Sequence, residues 1–312
     1  MRHSPLADVQ QMSVSATKLS RSDAAPAAPP APIETETIIE PSRGWIGVNW
    51  GEMFRGRELL YFLIWRDIKV RYKQAVLGIG WAVLQPVLSM TIFTLLFGVG
   101  FNLRKELPPN VPFPVFVFCG LIPWQLFSTA MSLGGMSLVS QQNLLTKIYF
   151  PRLFVPTSIV GGALVDMAIS FGIVAVLFAW YHLVPPLAVL LLPLLMLLTV
   201  VIALGVAYLL SALTVTYRDF RFLVPFVTQV WMWLSFVAFP VPQGILDNWK
   251  GRLVLTLNPM YGVIAGYRKV LLGVDKGWNP MFLASSILIS GVLFAWGLFY
   301  FRKTEKRFAD IA

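Results

Sequence analysis

Apolar runs of about 20 residues, the length an α-helix needs to cross ~30 Å of hydrocarbon, recur at approximately 80–101, 113–139, 154–180, 186–211, 222–240 and 281–301. Each is continuously apolar and lacks the alternation of a membrane barrel. The pattern predicts an all-α integral membrane protein with six transmembrane helices. Between the fifth and sixth runs, 241–279 is too long and too apolar for a simple loop. Leu253–Leu257 and Met260–Leu272 are each half a span long, and Asn258-Pro259 divides them as a helix breaker. Two readings stand: a re-entrant pair of half-helices in the outer leaflet, or a surface helical hairpin.

Before the first run the periodicity changes. On a helical wheel, Arg66, Lys69 and Lys73 fall within about 60° of each other, with Leu60, Tyr61, Ile64 and Ile68 opposite. This predicts an amphipathic helix in the membrane plane at the inner headgroup level. Gly78 and Gly80 then let the chain turn into the first span. Asp67 and Arg71 stand four apart on the apolar side, so an intrahelical pair supporting the helix is expected. The basic stripe has two readings, an anchor to anionic lipid or a docking site for a phosphorylated lipid substrate.

Composition agrees: 57% of the 312 residues are hydrophobic, 13% are charged, and the mean hydropathy is +0.70. Lys and Arg are concentrated near residues 55–73, 147–152, 218–221 and 302–307, flanks that share one side if both termini are inside. They outnumber those on the opposite side, so the positive-inside bias predicts an N-in, C-in topology. The net charge of +10 follows from that bias, and a nucleic-acid partner need not be invoked. Residues 1–43, with the Pro/Ala-rich run AAPAAPPAP at 24–32, are expected to form a disordered cytoplasmic tail. This tail has no apolar core of a signal peptide. Residues 44–78 are read as the interfacial helix region and 79–312 as the six-span domain. Cys119, the single cysteine, leaves no internal disulfide and no cysteine-based metal site.

Asp166 is the one formally ionisable residue deep in a predicted span. It is either a functional carboxylate or a hydrogen-bonded acid joining two helices, the latter favoured by Gly161 and Gly162. Trp231, Trp233 and Phe236 fit poorly into an interfacial aromatic belt and are candidates for lining a conduit. Asn143–Phe150 is short, amphipathic and ended by Pro151, with Leu144, Leu145 and Ile148 on one face. It reads either as a helix end packed on the bundle or as a docking knob. The connection TYRDFR at 216–221 reads first as a positive-inside loop. There is no D-x-D, no H-E-x-x-H and only His3 and His182, which disfavours a membrane glycosyltransferase. A single buried acid is a poor basis for a secondary carrier.

The run WRDIKVRYKQAVLGIGWAVLQP at 65–86 resembles the N-terminal signature of permease subunits of type-2 ABC exporters of lipid-linked polysaccharide. NLLTKIYFPR at 143–152, LNPMYGVIAGYR at 257–268 and FRKTEKRFADIA at 301–312 match as well. The resemblance implies a six-span homodimer around a central conduit in a bacterial inner membrane. It would carry O-antigen, capsule or teichoic-acid chains and be powered by a separate nucleotide-binding subunit. It casts Arg66, Lys69, Arg71 and Lys73 as a headgroup site. Asn143, Leu144, Leu145, Lys147, Ile148, Tyr149 and Phe150 become a coupling helix that docks the ATPase. Asn258, Pro259, Tyr261, Tyr267 and Arg268 become part of an outer gate. The chain has no G-x-x-x-x-G-K-[ST] phosphate loop, so ATP and Mg would be used by the partner, with no cofactor or metal bound here. A drug or small-lipid exporter of the same superfamily is the nearest alternative.

Overall fold

The computed structural model describes residues 51, 56–73, 78, 80–142 and 150–305. Helix α1 is Arg57–Lys73. Next come four long apolar helices: α2 (Gly80–Gly100), α3 (Phe113–Ser140), α4 (Phe154–Trp180) and α5 (Leu187–Thr216). The shorter α6 is Phe220–Leu234. Beyond it lie α7 (Gln243–Asp247), α8 (Trp249–Leu257), α9 (Pro259–Leu272) and the long α10 (Pro280–Glu305). Among the described residues, five helices (α2 to α5 and α10) are long and apolar enough to cross a membrane. Their bounds follow the apolar runs closely, because an uninterrupted apolar run can satisfy its backbone in lipid only as helix.

The fifth expected span differs. α6 stops at Leu234 after 15 residues, about 22 Å at 1.5 Å per residue, whereas its apolar run continues to 240. Phe236 takes φ 51°, a left-handed conformation that ends helices and is rare outside glycine. The carbonyls released there are taken up by α9, as described below.

α3 is the hub. Most of it is buried, with Phe116, Phe118 and Phe127 among the fully enclosed side chains, while the outer faces of α2, α4, α5 and α10 remain apolar and exposed as expected of a lipid-facing surface. α5 and α10 cross with backbones in near contact. A Cβ on Gly205 would sit 2.8 Å from the Phe294 Cα, and one on Gly297 would collide with the Gly205 carbonyl. Small residues at a crossing are how membrane helices gain packing without a hydrophobic driving force. The α8–α9 division falls at Asn258, as the sequence predicts. α9 is no surface helix, since Pro259 to Leu271 are buried apart from Lys269.

Candidate functional site

Two polar clusters stand out, one beside α1 and one around α9. α1 lies along α4, with Ile64 against Gly161, where a Cβ would come within 2.6 Å of the Ile64 Cδ1. Its protein-facing side carries Leu63, Ile64, Asp67, Ile68 and Arg71. Its outward side carries Tyr61, Phe62, Trp65, Lys69, Val70 and Lys73. Tyr61, expected on the packed face, is 68% exposed.

The expected Asp67–Arg71 pair does not form. Arg66 Nη2 donates to Asp67 Oδ1 at 2.7 Å and to Gln141 Oε1 at 2.7 Å, and Ser158 Oγ donates to Asp67 Oδ2 at 2.9 Å. Arg71 instead pairs with Asp166, which also accepts the Tyr72 hydroxyl. An acid within an apolar helix gains far more from a cation and a phenol than a surface i,i+4 pair gains from its own geometry, so α4 outcompetes the local contact. Asp166 thus joins α4 to α1. Burial, reinforced by the hydrogen bond to Asp166 and its charge, pushes the Tyr72 phenol up to about 12, so it stays a proton donor. Of the four basic residues assigned to the headgroup site, Arg66 and Arg71 are therefore tied into the fold. Lys69 and Lys73 are exposed, with the Lys69 ammonium 5.5 Å from the Trp65 ring centre. Gln141 and Ser158 were not legible as partners, because nothing local in sequence marks them.

The second cluster knots four helices. Asn258 Oδ1 accepts from the Met260 N–H at 3.1 Å, capping α9, and from Trp231 Nε1 at 2.9 Å. Its Nδ2 donates to the Leu234 carbonyl and to Ser235 Oγ. Arg268 is 5% exposed. Its guanidinium donates to the carbonyls of Phe236 (3.0 Å), Val237 (2.6 Å) and Phe116 (3.4 Å) and lies 3.8 Å from the Phe116 ring centre. It forms no ion pair among the described residues. Gly120 makes room, since a Cβ there would fall 2.7 Å from Arg268 Nη2. Tyr261 donates to the Gly277 carbonyl at 2.6 Å, and the Tyr267 hydroxyl lies 3.3 Å from Thr199 Oγ1. The five residues expected at the outer gate are thus all buried in this region.

The aromatic candidates separate. Trp231 is bound to Asn258, Phe236 packs on Tyr261 and Phe239, and Trp233 meets Phe93 and Phe97 of α2 while 38% exposed. Asn143, Leu144, Leu145, Lys147, Ile148 and Tyr149 lie outside the described residues. Phe150 is buried in a cluster with Leu63, Leu153 and Phe301, so its own side chain offers no docking surface.

Residues 58–272 match the model of the ABC-2 type transporter family. The chain belongs to that family. Its relatives include the O-antigen export system permease protein RfbA of Myxococcus xanthus, 34% identical over 219 residues, 70% of this chain and 82% of that protein. RfbA of Klebsiella pneumoniae is 27% identical over 267 residues, covering 84% of this chain and 97% of its own. The polysialic acid transport protein KpsM of Escherichia coli is 24% identical over 244 residues, 74% of this chain and 90% of its own. Three of the four segments that carried the resemblance lie inside 58–272, and the family they pointed to is the one found.

Proposed function

We propose that this chain is the membrane permease subunit of an ATP-driven exporter that moves lipid-linked, O-antigen-like polysaccharide across the bacterial inner membrane. The observation that carries the reading is the 34% identity to an O-antigen export permease over 82% of that protein's length, in a chain with five membrane-length helices and the shorter α6. Similarity to KpsM, a polysialic acid transport protein, favours a glycan over a drug or small lipid. Family membership implies an ATPase partner subunit, and ATP and Mg are read as bound there. In this reading α6 completes a six-span, N-in and C-in bundle, the active unit is a homodimer with two ATPase copies, and residues 143–149 dock the ATPase. The exposed Lys69 and Lys73 face the phosphates of lipid or substrate, while Arg66 and Arg71 seat the helix that presents them. Asn258, Pro259, Tyr261, Tyr267 and Arg268 form the frame of an outer gate.

The docking assignment is tested by co-purification. Leu144→Asp with Leu145→Asp should abolish recovery of the ATPase while membrane insertion is kept. Unchanged recovery would remove residues 143–149 from that role.

A further inference from the structure

A cavity of about 400 Å³ opens between α1, α2, α3 and α4, in the size range of small-molecule sites. Its wall includes the Arg71–Tyr72–Asp166 network together with Trp81, Gln85, Gln125 and Thr129. The charges in this wall are already matched. Arg71, the one cation lining it among the described residues, is paired with Asp166, and Tyr72 donates its proton to the same carboxylate. Among the described residues a phosphate would meet no free cation and would face Asp166, and an ammonium would meet an acid already satisfied. The carboxamides of Gln85 and Gln125 and the hydroxyl of Thr129, in contrast, have no hydrogen-bond partner among the described residues. Each amide offers both donors and acceptors. A purely apolar occupant would strand these groups. Trp81, 46% exposed, adds an aromatic face at the rim, and aromatic faces suit the C–H surface of a sugar ring.

We propose that this cavity is a binding subsite for an uncharged, hydroxyl-rich group, a sugar unit of a glycolipid, held by the two carboxamides and Thr129 against Trp81. The proposal rests on the export reading for its biological meaning and names where a sugar of the lipid-linked chain is gripped on the α1 side of the bundle. It separates the two chemistries of such a substrate, because phosphate recognition is left to exposed lysines outside the cavity.

The test uses the permease purified with its ATPase in phosphatidylcholine nanodiscs doped equally with monoglucosyl diacylglycerol and phosphatidylglycerol, with retained lipid counted by native mass spectrometry. The wild type should retain the glucosyl lipid over phosphatidylglycerol by about tenfold, a gap of about 1.4 kcal/mol. Gln125→Leu with Thr129→Val should erase that preference while the assembly keeps its mass. Gln85→Leu, at an exposed position, serves as the second variant should the first fail to assemble. Trp81→Phe should keep more of the preference than Trp81→Leu. Equal retention by wild type and both polar variants, or wild-type preference for phosphatidylglycerol, would overturn the site. The export reading is scored separately by surface polysaccharide in cells lacking the permease. Normal polysaccharide there would defeat that reading without touching the lipid counts.

Discussion

Arg71 and Arg268 both carry a guanidinium into the protein, and they are neutralised in opposite ways. Arg71 meets a carboxylate on another helix, and the pair keeps 28% and 24% of its side-chain surface exposed. Arg268 is buried and meets only carbonyl oxygens, two of them from the segment where α6 has unwound. An ion pair at a partly exposed helix junction can be exchanged for other partners at lower cost than a fully buried one. A guanidinium holding three backbone carbonyls in an enclosed space has no substitute, because both the cation and the carbonyls would be left without partners. The α1 side is thus built to be adjusted, and the α9 side is built to be fixed.

The largest effect is expected at the fixed end. Arg268→Met leaves three carbonyls without their donor, on the order of 3–5 kcal/mol, and should abolish export together with most folded protein. Arg268→Lys should do little better, since an ammonium cannot reproduce a planar fork across three acceptors. Gly120→Ala should approach the same phenotype by pushing the guanidinium aside. Thermal unfolding of detergent-purified protein checks all three. Near-normal stability for Arg268→Lys would show that charge alone, and not the fork, holds the α6–α9 junction.

An intermediate effect is expected at Asp166. Asp166→Asn keeps the shape but leaves Arg71 unmatched. With the pair about a quarter exposed, the loss should be about 1–3 kcal/mol. Combining it with Arg71→Gln should recover part of that loss, a coupling read from a double-mutant cycle of unfolding midpoints. Strict additivity would mean that the two helices are held by apolar packing alone.

The smallest effect belongs to the exposed lysines. Lys69→Gln with Lys73→Gln should leave stability unchanged and weaken retention of anionic lipid in nanodiscs by about 1 kcal/mol per residue. If unfolding shifts as well, the outward face of α1 is also part of the packed structure.

Five of the expected spans were readable because lipid leaves a long apolar run one helical solution, and the Asn258 break was readable because the residue before a proline is pushed out of the helical region. What was not readable lay between segments distant in sequence. The i,i+4 rule paired Asp67 with Arg71 because it sees only one helix, while the partners that won, Ser158 and Asp166, lie more than 90 residues away. The early end of α6 was hidden for the same reason. Its apolar residues run on to 240, and the unwound turn is received by distant groups, the guanidinium of Arg268 and the carboxamide of Asn258. Arg66, Lys69 and Lys73 read as one stripe and Arg71 joined them only through the family resemblance, but only the fold shows that Arg66 and Arg71 are structural.

The export reading is tested most directly by analysing glycans in cells from which this permease has been deleted and then restored at matched levels. Deletion should remove surface polysaccharide and cause lipid-linked glycan to accumulate at the inner membrane. The wild-type chain should restore export, and the Leu144→Asp, Leu145→Asp variant should not. Undiminished surface polysaccharide in the deletion strain, with no accumulated lipid-linked glycan, would contradict the account.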